Sequence, residues 1–556
     1  MTCSIRIWIL LLAAWRFNLV TPFVSHRPIP AAAVRLATAT TTTHLNAHPV
    51  QYDLAIIGAG PVGVQAALVA AASPFNKKVC LIDAPRASGM LMNEATGEDL
   101  SIGGPTGLFS KALRDTSKHI RVSALRGMGL REESVWNEII CNCVDLASSN
   151  AQDVMRQLEF AGVDYVKGFA SFPDGGTTSS LAVANDDNKS MQTIHATNIL
   201  VGTGSKPFRP GGIPFDGVRV FDSDSINQIS YLPKSIAITG SGIIAIEFAK
   251  IFRNLGAEVT LIIRDKSPRN ALSKIGLDKD VSALLVADLV RSGIRIERGA
   301  QVKEFDVPVN NPQAPIRLLL EGKGGQALPR GQEAEVKCDA YLAAVGRIPN
   351  TANLNLLGAG IKVDEYGGIL VDSNLCATAK AQNVYAAGDV LGRPFLASTG
   401  VAQGIGAVAA MFGQPGKGSV SKCDPDDLLC IDGDISAAGA SFDPGSLASN
   451  PFAFPCGVWT SPEASYFGLS TQQAKEFGID AAEGIALYAE CLRGRVFSPN
   501  GLLKLVFEKP SGRILGVHIV GDDGTFHCFI NLLYNDIVAC NLIHSPHTLF
   551  LVVIIL

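Results

Sequence analysis

Two glycine-rich turns in this chain have the residue types and spacing needed to bind a diphosphate. The first turn contains Gly58, Gly60 and Gly63, and it follows a short apolar stretch that ends at Ile57. In a βαβ unit the first glycine allows the tight turn, the second lets the backbone approach the diphosphate, and the third lets the helix pack closely on the strand. The negative charge then lies at the helix N-terminus, where unpaired N–H groups favour an anion. The pattern therefore predicts a dinucleotide site.

The second strand of this first unit, residues 79–82, is followed by Asp83. A carboxylate in this position can accept a hydrogen bond from a ribose hydroxyl, so we expect a nucleotide without a 2′-phosphate. FAD or NAD would fit. The alternative is an unrelated glycine turn, but here the strand, the helix and the acid all occur in the order that the unit requires.

The second turn contains Gly240 and Gly242, with Ala245 as a tolerated small residue in place of the third glycine. The next strand leads into Arg264 instead of an acid, and Arg269 lies nearby. A guanidinium can bind a 2′-phosphate through two hydrogen bonds, whereas an acid would repel it. We predict that this second unit takes NADP(H). The alternative is an exposed basic loop with no ligand.

Bulk composition limits the other possibilities. A chain of 556 residues is long enough for more than one domain. Its formal net charge of -4 argues against a general nucleic-acid partner. The 12 cysteines are scattered without a Cys-x2-Cys or Cys-x4-Cys pair, so we predict neither a disulfide scaffold nor a metal site.

The N-terminal segment has the composition of a targeting sequence. Residues 2–52 contain no acidic residue, and they begin with an apolar run, 7–15, that is too short to span a bilayer. A signal-like core followed by a Thr-rich stretch favours import into a plastid, with the mitochondrion as the alternative and a secretory leader as a third interpretation. The tail at 549–556 is also too short for a membrane span, so we expect no membrane partner.

Several further motifs occur in a fixed order along the chain. They are Ser110-Lys111-Ala112-Leu113, Thr203-Gly204-Ser205, Gly346-Arg347 and Gly388-Asp389. In this order the chain resembles the class I pyridine nucleotide-disulfide oxidoreductases, the dihydrolipoamide dehydrogenase-like flavoproteins with two dinucleotide sites. The resemblance implies an α/β fold with two Rossmann-like domains, for FAD and NAD(P), and a C-terminal α+β interface domain that pairs two subunits into a homodimer.

The resemblance also implies roles for individual residues. Lys111 and Glu247 match a lysine and a glutamate that pair beside the flavin N5, and we expect them to be the catalytic pair. Asp389 matches the carboxylate that binds the ribityl hydroxyls of FAD. The motifs at 203–204 and 346–347 match the crossovers between the FAD and NAD(P) domains, and all four residues are candidate cofactor contacts.

One departure from the family decides the expected reaction. The family carries a redox Cys-x4-Cys just before the Ser-Lys-Ala-Leu helix, but residues 104–110 contain no cysteine here. A dithiol relay needs two thiols. Without them the chain resembles the soluble, Si-specific pyridine nucleotide transhydrogenases, which would move hydride from NADPH to NAD+ through FAD. The alternatives are a diverged dihydrolipoamide dehydrogenase-like oxidase or quinone reductase, and a redox-inert FAD-binding protein.

The C-terminal end departs from the family as well. Where a His- or Tyr-Pro-Thr-x-x-Glu segment would supply a residue to the partner subunit, this chain has His544 and His547, and neither fits a catalytic role. The predicted division of the chain is a leader at 1–50, FAD-binding segments at 51–230 and 346–413, an NAD(P)-binding domain at 231–345, a linker or insertion at 414–454 and an interface domain at 455–556.

Overall fold

A computed structural model describes most of the chain beyond the leader. The described residues are 51–84, 92–93, 98–99, 102–103, 108–120, 129, 131–175, 178–185, 191–274, 276–308, 310–311, 313–377, 383–413, 456–490, 492–512 and 514–522. The predicted leader, the predicted linker at 414–454, His544 and His547 lie outside them. Across the described ranges, no helix combines the length and the apolar character that crossing a membrane requires.

The first part of the chain builds a mostly parallel sheet. Its elements are β1 (Gln51–Ile57), α1 (Pro61–Ala71), β2 (Val79–Asp83), β3 (Met92–Asn93), β4 (Glu98–Asp99), α2 (Leu108–His119), α3 (Glu132–Phe160), β5 (Asp164–Lys167), β6 (Phe169–Ser171), β7 (Ser180–Ala184), β8 (Met191–Val201) and β9 (Ser205–Pro207). The strand order of the sheet is β5-β2-β1-β8-β7-β6, and β3 and β4 form a separate two-stranded sheet. Residues 54–56 of β1 are fully buried because the sheet is covered on both faces.

The second part repeats this plan around a parallel sheet of five strands. Its elements are β10 (Val220–Asp222), β11 (Ser235–Thr239), α4 (Ile243–Asn254), β12 (Glu258–Ile263), α5 (Pro268–Ser273), α6 (Lys279–Arg291), β13 (Arg295–Arg298), β14 (Ala300–Asp306), β15 (Ile316–Gly322), β16 (Glu335–Cys338) and β17 (Ala340–Ala343). The strand order is β10-β17-β11-β12-β13, and β14, β15 and β16 form a separate antiparallel sheet.

Strand β10 belongs to this second sheet, although the predicted boundary at residue 230 assigns it to the first domain. It pairs in parallel with β17, from Val220 opposite Tyr341 to Asp222 opposite Ala343. The three residues of β10 are buried. A three-residue strand carries too little periodicity to be assigned to a sheet from sequence, so the pairing partner decides where it belongs.

The chain then returns to the first sheet. Strand β18 (Arg347–Pro349) pairs antiparallel with β9 in a separate two-stranded sheet. Strand β19 (Val384–Ala386) pairs in parallel with β8, which makes the first sheet seven-stranded. Helix α7 (Ala397–Phe412) follows and packs against α1. The close approach of these two helices requires small residues: a Cβ on Gly404 would lie 3.2 Å from the carbonyl oxygen of Val62.

The C-terminal domain is an antiparallel sheet with short helices. Its elements are β20 (Cys456–Val458), β21 (Glu463–Gly468), α8 (Thr471–Glu476), β22 (Ala481–Leu487), α9 (Leu492–Phe497), β23 (Leu502–Glu508) and β24 (Ile514–Gly521), in the order β20-β21-β24-β23-β22. Helix α8 begins with a capping box between Ser470 and Gln473. The predicted α/β class, with two Rossmann-like units and an α+β C-terminal domain, is confirmed.

This domain packs on the second unit through a buried ion cluster. The Nζ atom of Lys504 lies 2.9 Å from Asp278 Oδ1, 2.5 Å from Asp280 Oδ2 and 3.0 Å from Glu483 Oε2. Lys504 and Asp278 are completely buried. Because an unpaired buried charge is very unfavourable, these contacts fix how β23 lies against the start of α6.

Candidate functional site

Two glycines of the first turn are required by neighbouring protein atoms. Gly58 has a φ of +106°, and a Cβ there would lie 2.5 Å from the carbonyl oxygen of Gly202. A Cβ on Gly63 would lie 1.9 Å from the carbonyl oxygen of Gly58. Any larger residue would therefore push the turn, β8 and α1 apart.

Gly60 differs from both, because a Cβ there would meet no protein atom within 4 Å. The residue is the N-cap of α1, no side chain caps the helix, and its first turn contains no acid. The first N–H groups of α1 thus face an open space that only a glycine keeps clear. These features fit a dinucleotide diphosphate, which would accept hydrogen bonds from the helix N-terminus.

Asp83 lies directly beside this turn. Its Oδ1 accepts a hydrogen bond of 3.0 Å from the backbone N–H of Ala59. The residue is only 7% exposed, at the end of β2. The fold therefore places the carboxylate next to the glycine turn, where the predicted contact with a ribose hydroxyl requires it.

The second turn has the same construction. Gly240 has a φ of +144°, and its Cβ would lie 2.2 Å from the carbonyl oxygen of Ala344, whereas a Cβ on Gly242 would meet nothing within 4 Å. Gly242 is the N-cap of α4 and has no side-chain cap. Ala245 is completely buried on α4, so its methyl group is accommodated in the packing. A second dinucleotide diphosphate fits this helix N-terminus.

The basic residues of the second unit lie on its surface. Arg264 follows β12 directly, and Arg269 is in α5; both are exposed. Within the described ranges, no ion pair engages either guanidinium. A phosphate at the end of β12 would meet these cations without competition from an acid paired to them.

Lys111 and Glu247 lie together, as predicted. Lys111 Nζ donates a hydrogen bond of 2.9 Å to Glu247 Oε2, across 136 residues of sequence. One third of the lysine side chain is exposed, at 33%, whereas the glutamate side chain is 4% exposed. The carboxylate is thus fixed in the protein interior, and it holds an ammonium group whose other side is open.

Asp389 belongs to a second polar network. It accepts a hydrogen bond of 2.6 Å from the Ser205 hydroxyl, which in turn accepts one of 2.8 Å from Arg347 Nε. Arg347 also forms an ion pair of 2.6 Å with Asp224. Burial raises the pKa of Asp389, while the Ser205 hydrogen bond and the Arg347 charge oppose that shift.

The remaining predicted contacts surround this network. Thr203 donates to the carbonyl oxygen of Asn350, and Gly204 and Gly346 have φ values of +70° and +126°. Gly388 has a φ of +83°, and a Cβ there would lie 2.8 Å from Val62 Cγ2. Both chain crossovers therefore pass through conformations that favour glycine.

One buried hydroxyl adjoins the same region. Thr399 is 1% exposed in the first turn of α7, and its Oγ1 makes no hydrogen bond to any residue that the structure describes. Its neighbour Gly400 packs against Gly388. A buried hydroxyl of this kind fits a polar ligand beside the α7 N-terminus, which adds to the case for a dinucleotide here.

The sequence alone assigns no role to Ser205 or Asp224, although Ser205 lies inside the motif at residues 203–205. Ser205 links Arg347 to Asp389, and Asp224 pairs with Arg347. Local sequence favours Asp224 as a helix cap, and it is the N-cap of the 3-10 turn Ser225–Gln228, but its side chain makes no capping hydrogen bond. No local signal identifies these contacts, because their partners are distant in sequence.

The sulfur chemistry of the site is limited. Cys456 is close enough to Glu247 and Lys111 for their charges to affect it, but burial raises the pKa of its thiol to about 11. A thiol with such a pKa is protonated at neutral pH and is a poor nucleophile. The positions of the family's redox cysteines, in residues 104–110, contain none.

Comparison with known proteins identifies the family. Residues 52–404 match the family described as pyridine nucleotide-disulphide oxidoreductase, and residues 454–530 match its dimerisation domain. A soluble pyridine nucleotide transhydrogenase of Colwellia psychrerythraea is 31% identical over 484 residues, covering 85% of this chain and 88% of the relative. One from Marinobacter nauticus is 28% identical over 477 residues, with coverage of 85% and 88%.

Solved structures show the same fold at lower identity. LpdA from Mycobacterium tuberculosis has a TM-score of 0.67 and 20% identity, covering 86% of this chain and 92% of its own. The HOCl-induced flavoprotein disulfide reductase RclA from Escherichia coli has a TM-score of 0.64 and 22% identity, covering 89% and 97%. The chain therefore belongs to the pyridine nucleotide-disulphide oxidoreductase family, as a flavin-dependent oxidoreductase that binds FAD and nicotinamide nucleotides and carries the family's dimerisation domain.

Proposed function

We propose that this chain is a transhydrogenase that moves hydride from NADPH to NAD+ by way of FAD. One observation carries the proposal: the pair between Lys111 and the buried Glu247 carboxylate is complete, whereas the segment before the Lys111 helix has no cysteine pair. A site that keeps its charged pair but lacks the dithiol can exchange hydride with nicotinamides, and it has no sulfur relay to a disulfide.

The residues have separate tasks in this proposal. Gly60 and the α1 N-terminus would hold the FAD diphosphate, Asp83 a ribose hydroxyl, and Asp389 the ribityl chain. Gly242 and the α4 N-terminus would hold the diphosphate of a nicotinamide nucleotide. Bound FAD would supply a two-electron carrier that accepts hydride and returns it.

Lys111 supplies a fixed positive charge. Its ammonium is held at 2.9 Å by a carboxylate that is almost entirely buried, so it needs little reorganisation to stabilise negative charge on a neighbouring ring. Arg264 and Arg269 would favour NADPH through its 2′-phosphate, and neither makes an ion pair with another described residue. The names of the relatives support the same reaction at 28–31% identity.

A two-step mixing experiment tests the proposal. The purified protein is reduced anaerobically with one equivalent of NADPH, which should bleach the flavin absorbance, and it is then mixed with NAD+. Rapid return of the absorbance, with formation of NADH, is expected. Faster reoxidation by air or a quinone would favour the oxidase or quinone reductase, turnover of a disulfide would contradict the absence of a relay, and a flavin that NADPH cannot bleach would indicate a redox-inert protein.

We further propose that the chain forms a homodimer through residues 456–522, because residues 454–530 match the dimerisation domain. Light scattering coupled to size-exclusion chromatography would measure the mass, and a monomer at micromolar concentration would refute the dimer.

We also propose import into an organelle, preferably the plastid, with the mitochondrion as the alternative. The acid-free composition of residues 2–52 supports this proposal. A fusion of residues 1–50 to a fluorescent protein should accumulate in the plastid, and retention in the secretory pathway would contradict it.

A further inference from the structure

The Glu247 carboxylate is held from two sides. Its Oε2 accepts from Lys111, and its Oε1 accepts a hydrogen bond of 2.9 Å from the backbone N–H of Trp459. Trp459 lies between β20 and β21, so the second donor comes from the C-terminal domain of the same chain. Because this donor is part of the backbone, the position of residue 459 fixes the carboxylate.

Arg114 packs on the side chain of Trp459. Its guanidinium carbon lies 4.7 Å from the centre of the indole ring, which is within the range of a cation–π interaction. Arg114 is only 5% exposed. Its Nη1 makes no hydrogen bond to the residues that the structure describes. The indole therefore covers one face of this buried cation.

A carboxylate of the C-terminal domain anchors the same guanidinium. Nη1 of Arg114 lies 3.6 Å from Oε1 of Glu463, the first residue of β21. Lys118 reaches the same oxygen at 3.4 Å. On its own helix, Arg114 also pairs with Asp115, which is mostly exposed. Arg114 thus joins α2 to the segment that carries Trp459.

The contacts form a closed ring. Lys111 and Arg114 are three residues apart on α2 and lie on neighbouring positions of its surface. From α2, Lys111 contacts Glu247, Glu247 contacts Trp459, and Trp459 contacts Arg114, which returns to α2. A shift of Glu247 would have to break one of these contacts, so the ring holds the carboxylate more firmly than the lysine alone.

We propose that Arg114 is a positioning residue for the Lys111–Glu247 pair and that it acts through Trp459. The inference rests on the proposed function, because it takes Lys111 to face the flavin. Under this proposal, the C-terminal domain of a chain helps to position the Lys111–Glu247 pair of the same chain. Without Arg114 the Trp459 segment is free to move, Glu247 loses its second donor, and the ammonium of Lys111 is no longer fixed.

Arg114→Met is the test variant, and Lys118→Met is its matched control. Both variants remove one cation from Glu463, but only the first removes the contact with Trp459. Stopped-flow reduction of the flavin is measured under anaerobic conditions over a range of NADPH concentrations, which gives a limiting rate and a dissociation constant. Small misplacements of reacting groups cost up to about a hundredfold in rate, so we expect a loss of roughly tenfold or more in the limiting rate of Arg114→Met.

Three further readouts separate positioning from general damage. The NADPH dissociation constant should be unchanged, because Gly242 and Arg264, which would bind NADPH, do not belong to the closed ring of contacts. The flavin midpoint potential should fall, since a fixed ammonium stabilises the negatively charged reduced ring. Arg114→Lys should restore part of the rate, because it keeps the charge but loses the planar contact with the indole.

Trp459→Leu leaves Arg114 in place and should reproduce the loss of rate and potential, so the test survives if Arg114→Met fails to fold. An Arg114→Met protein with the wild-type rate and potential would overturn the proposal, as would an equal loss in Lys118→Met. Glu247→Gln provides the link to the proposed function: wild-type flavin reduction in this variant would overturn the inference. If the Arg114 and Trp459 variants slow flavin reduction by NADPH as expected, but NAD+ does not reoxidise the flavin, the inference holds and the transhydrogenase proposal fails.

Discussion

Replacing Gly60 or Gly242 with alanine should weaken binding at one nucleotide site and leave the other site unchanged. Gly60 has a φ of -72° and a ψ of -176°, and Gly242 has -80° and 178°, which are extended conformations open to any residue. A Cβ at either position meets no protein atom within 4 Å. Replacing a good N-cap by alanine typically costs about 1 kcal/mol and replacing it by glycine only a few tenths, so each change should destabilise the apoprotein by less than about 1 kcal/mol.

The effect on ligand binding should be much larger. A methyl group on residue 60 occupies the space through which a diphosphate approaches the first N–H groups of α1. A hydrogen bond to a charged group contributes about 1.5–3 kcal/mol, so losing one weakens binding by about 10- to 150-fold. Gly60→Ala should therefore weaken FAD binding by this factor, whereas Gly242→Ala should keep FAD and weaken NADPH binding.

Titration of the apoprotein with FAD, followed by flavin fluorescence, measures the first effect, and NADPH titration of the oxidised holoprotein measures the second. Gly58→Ala is the control for a structural glycine. Its Cβ would lie 2.5 Å from Gly202, at a φ of +106°, and the backbone strain alone should destabilise the apoprotein by about 1–3 kcal/mol. Unchanged FAD affinity in Gly60→Ala would refute the assignment of the first turn.

Three other predictions concern single charged residues. Lys504→Met leaves the buried Asp278 carboxylate without its cation and should lower the free energy of unfolding by about 3–5 kcal/mol in urea titrations; a loss below 1 kcal/mol, near the value of an exposed ion pair, would contradict this role. Burial raises the pKa of Asp389 above its usual 3.8, so the native state binds this proton more tightly than the unfolded chain does. The native state therefore loses stability as the pH rises from the usual pKa through the raised pKa. The apoprotein of Asp389→Asn should thus lose less stability than the wild-type apoprotein when the pH is raised from acid to neutral. If the urea midpoint changed by the same amount in both proteins over this pH range, the prediction would be wrong. Arg264→Ser should weaken NADPH binding by about tenfold or more through one lost charged hydrogen bond, and leave NADH binding as it was; equal weakening of both would show that Arg264 does not contact the 2′-phosphate.

Local requirements explain why much of the fold was predictable. Gly63 must lack a Cβ because the carbonyl oxygen of Gly58, in the same turn, lies 1.9 Å from where it would be. Such constraints act between residues close in sequence or within one βαβ unit, so they appear as a fixed spacing. The buried strand β1 and the helix that begins at Pro61 follow from the same local pattern.

The charge contacts of the site follow from tertiary packing. Glu247 is 136 residues from Lys111 and 212 residues from the Trp459 N–H, and no sequence period relates these positions. The resemblance to a family predicted the first contact, but nothing local indicated the second or the role of Arg114. They exist because α2, α4 and the β20–β21 segment meet at one place.

The sequence by itself determined the two diphosphate turns, the absence of a cysteine pair before α2 and the sign of the charge after β12. Each of these features depends on residue types at a fixed spacing, and a residue at a given spacing in a βαβ unit occupies a fixed position in space. Only the tertiary structure decided that β10 joins the second sheet and that Arg114 packs on Trp459, whose backbone N–H donates to Glu247. Burial and ion pairing depend on which elements pack together, and packing brings together residues that the chain keeps far apart.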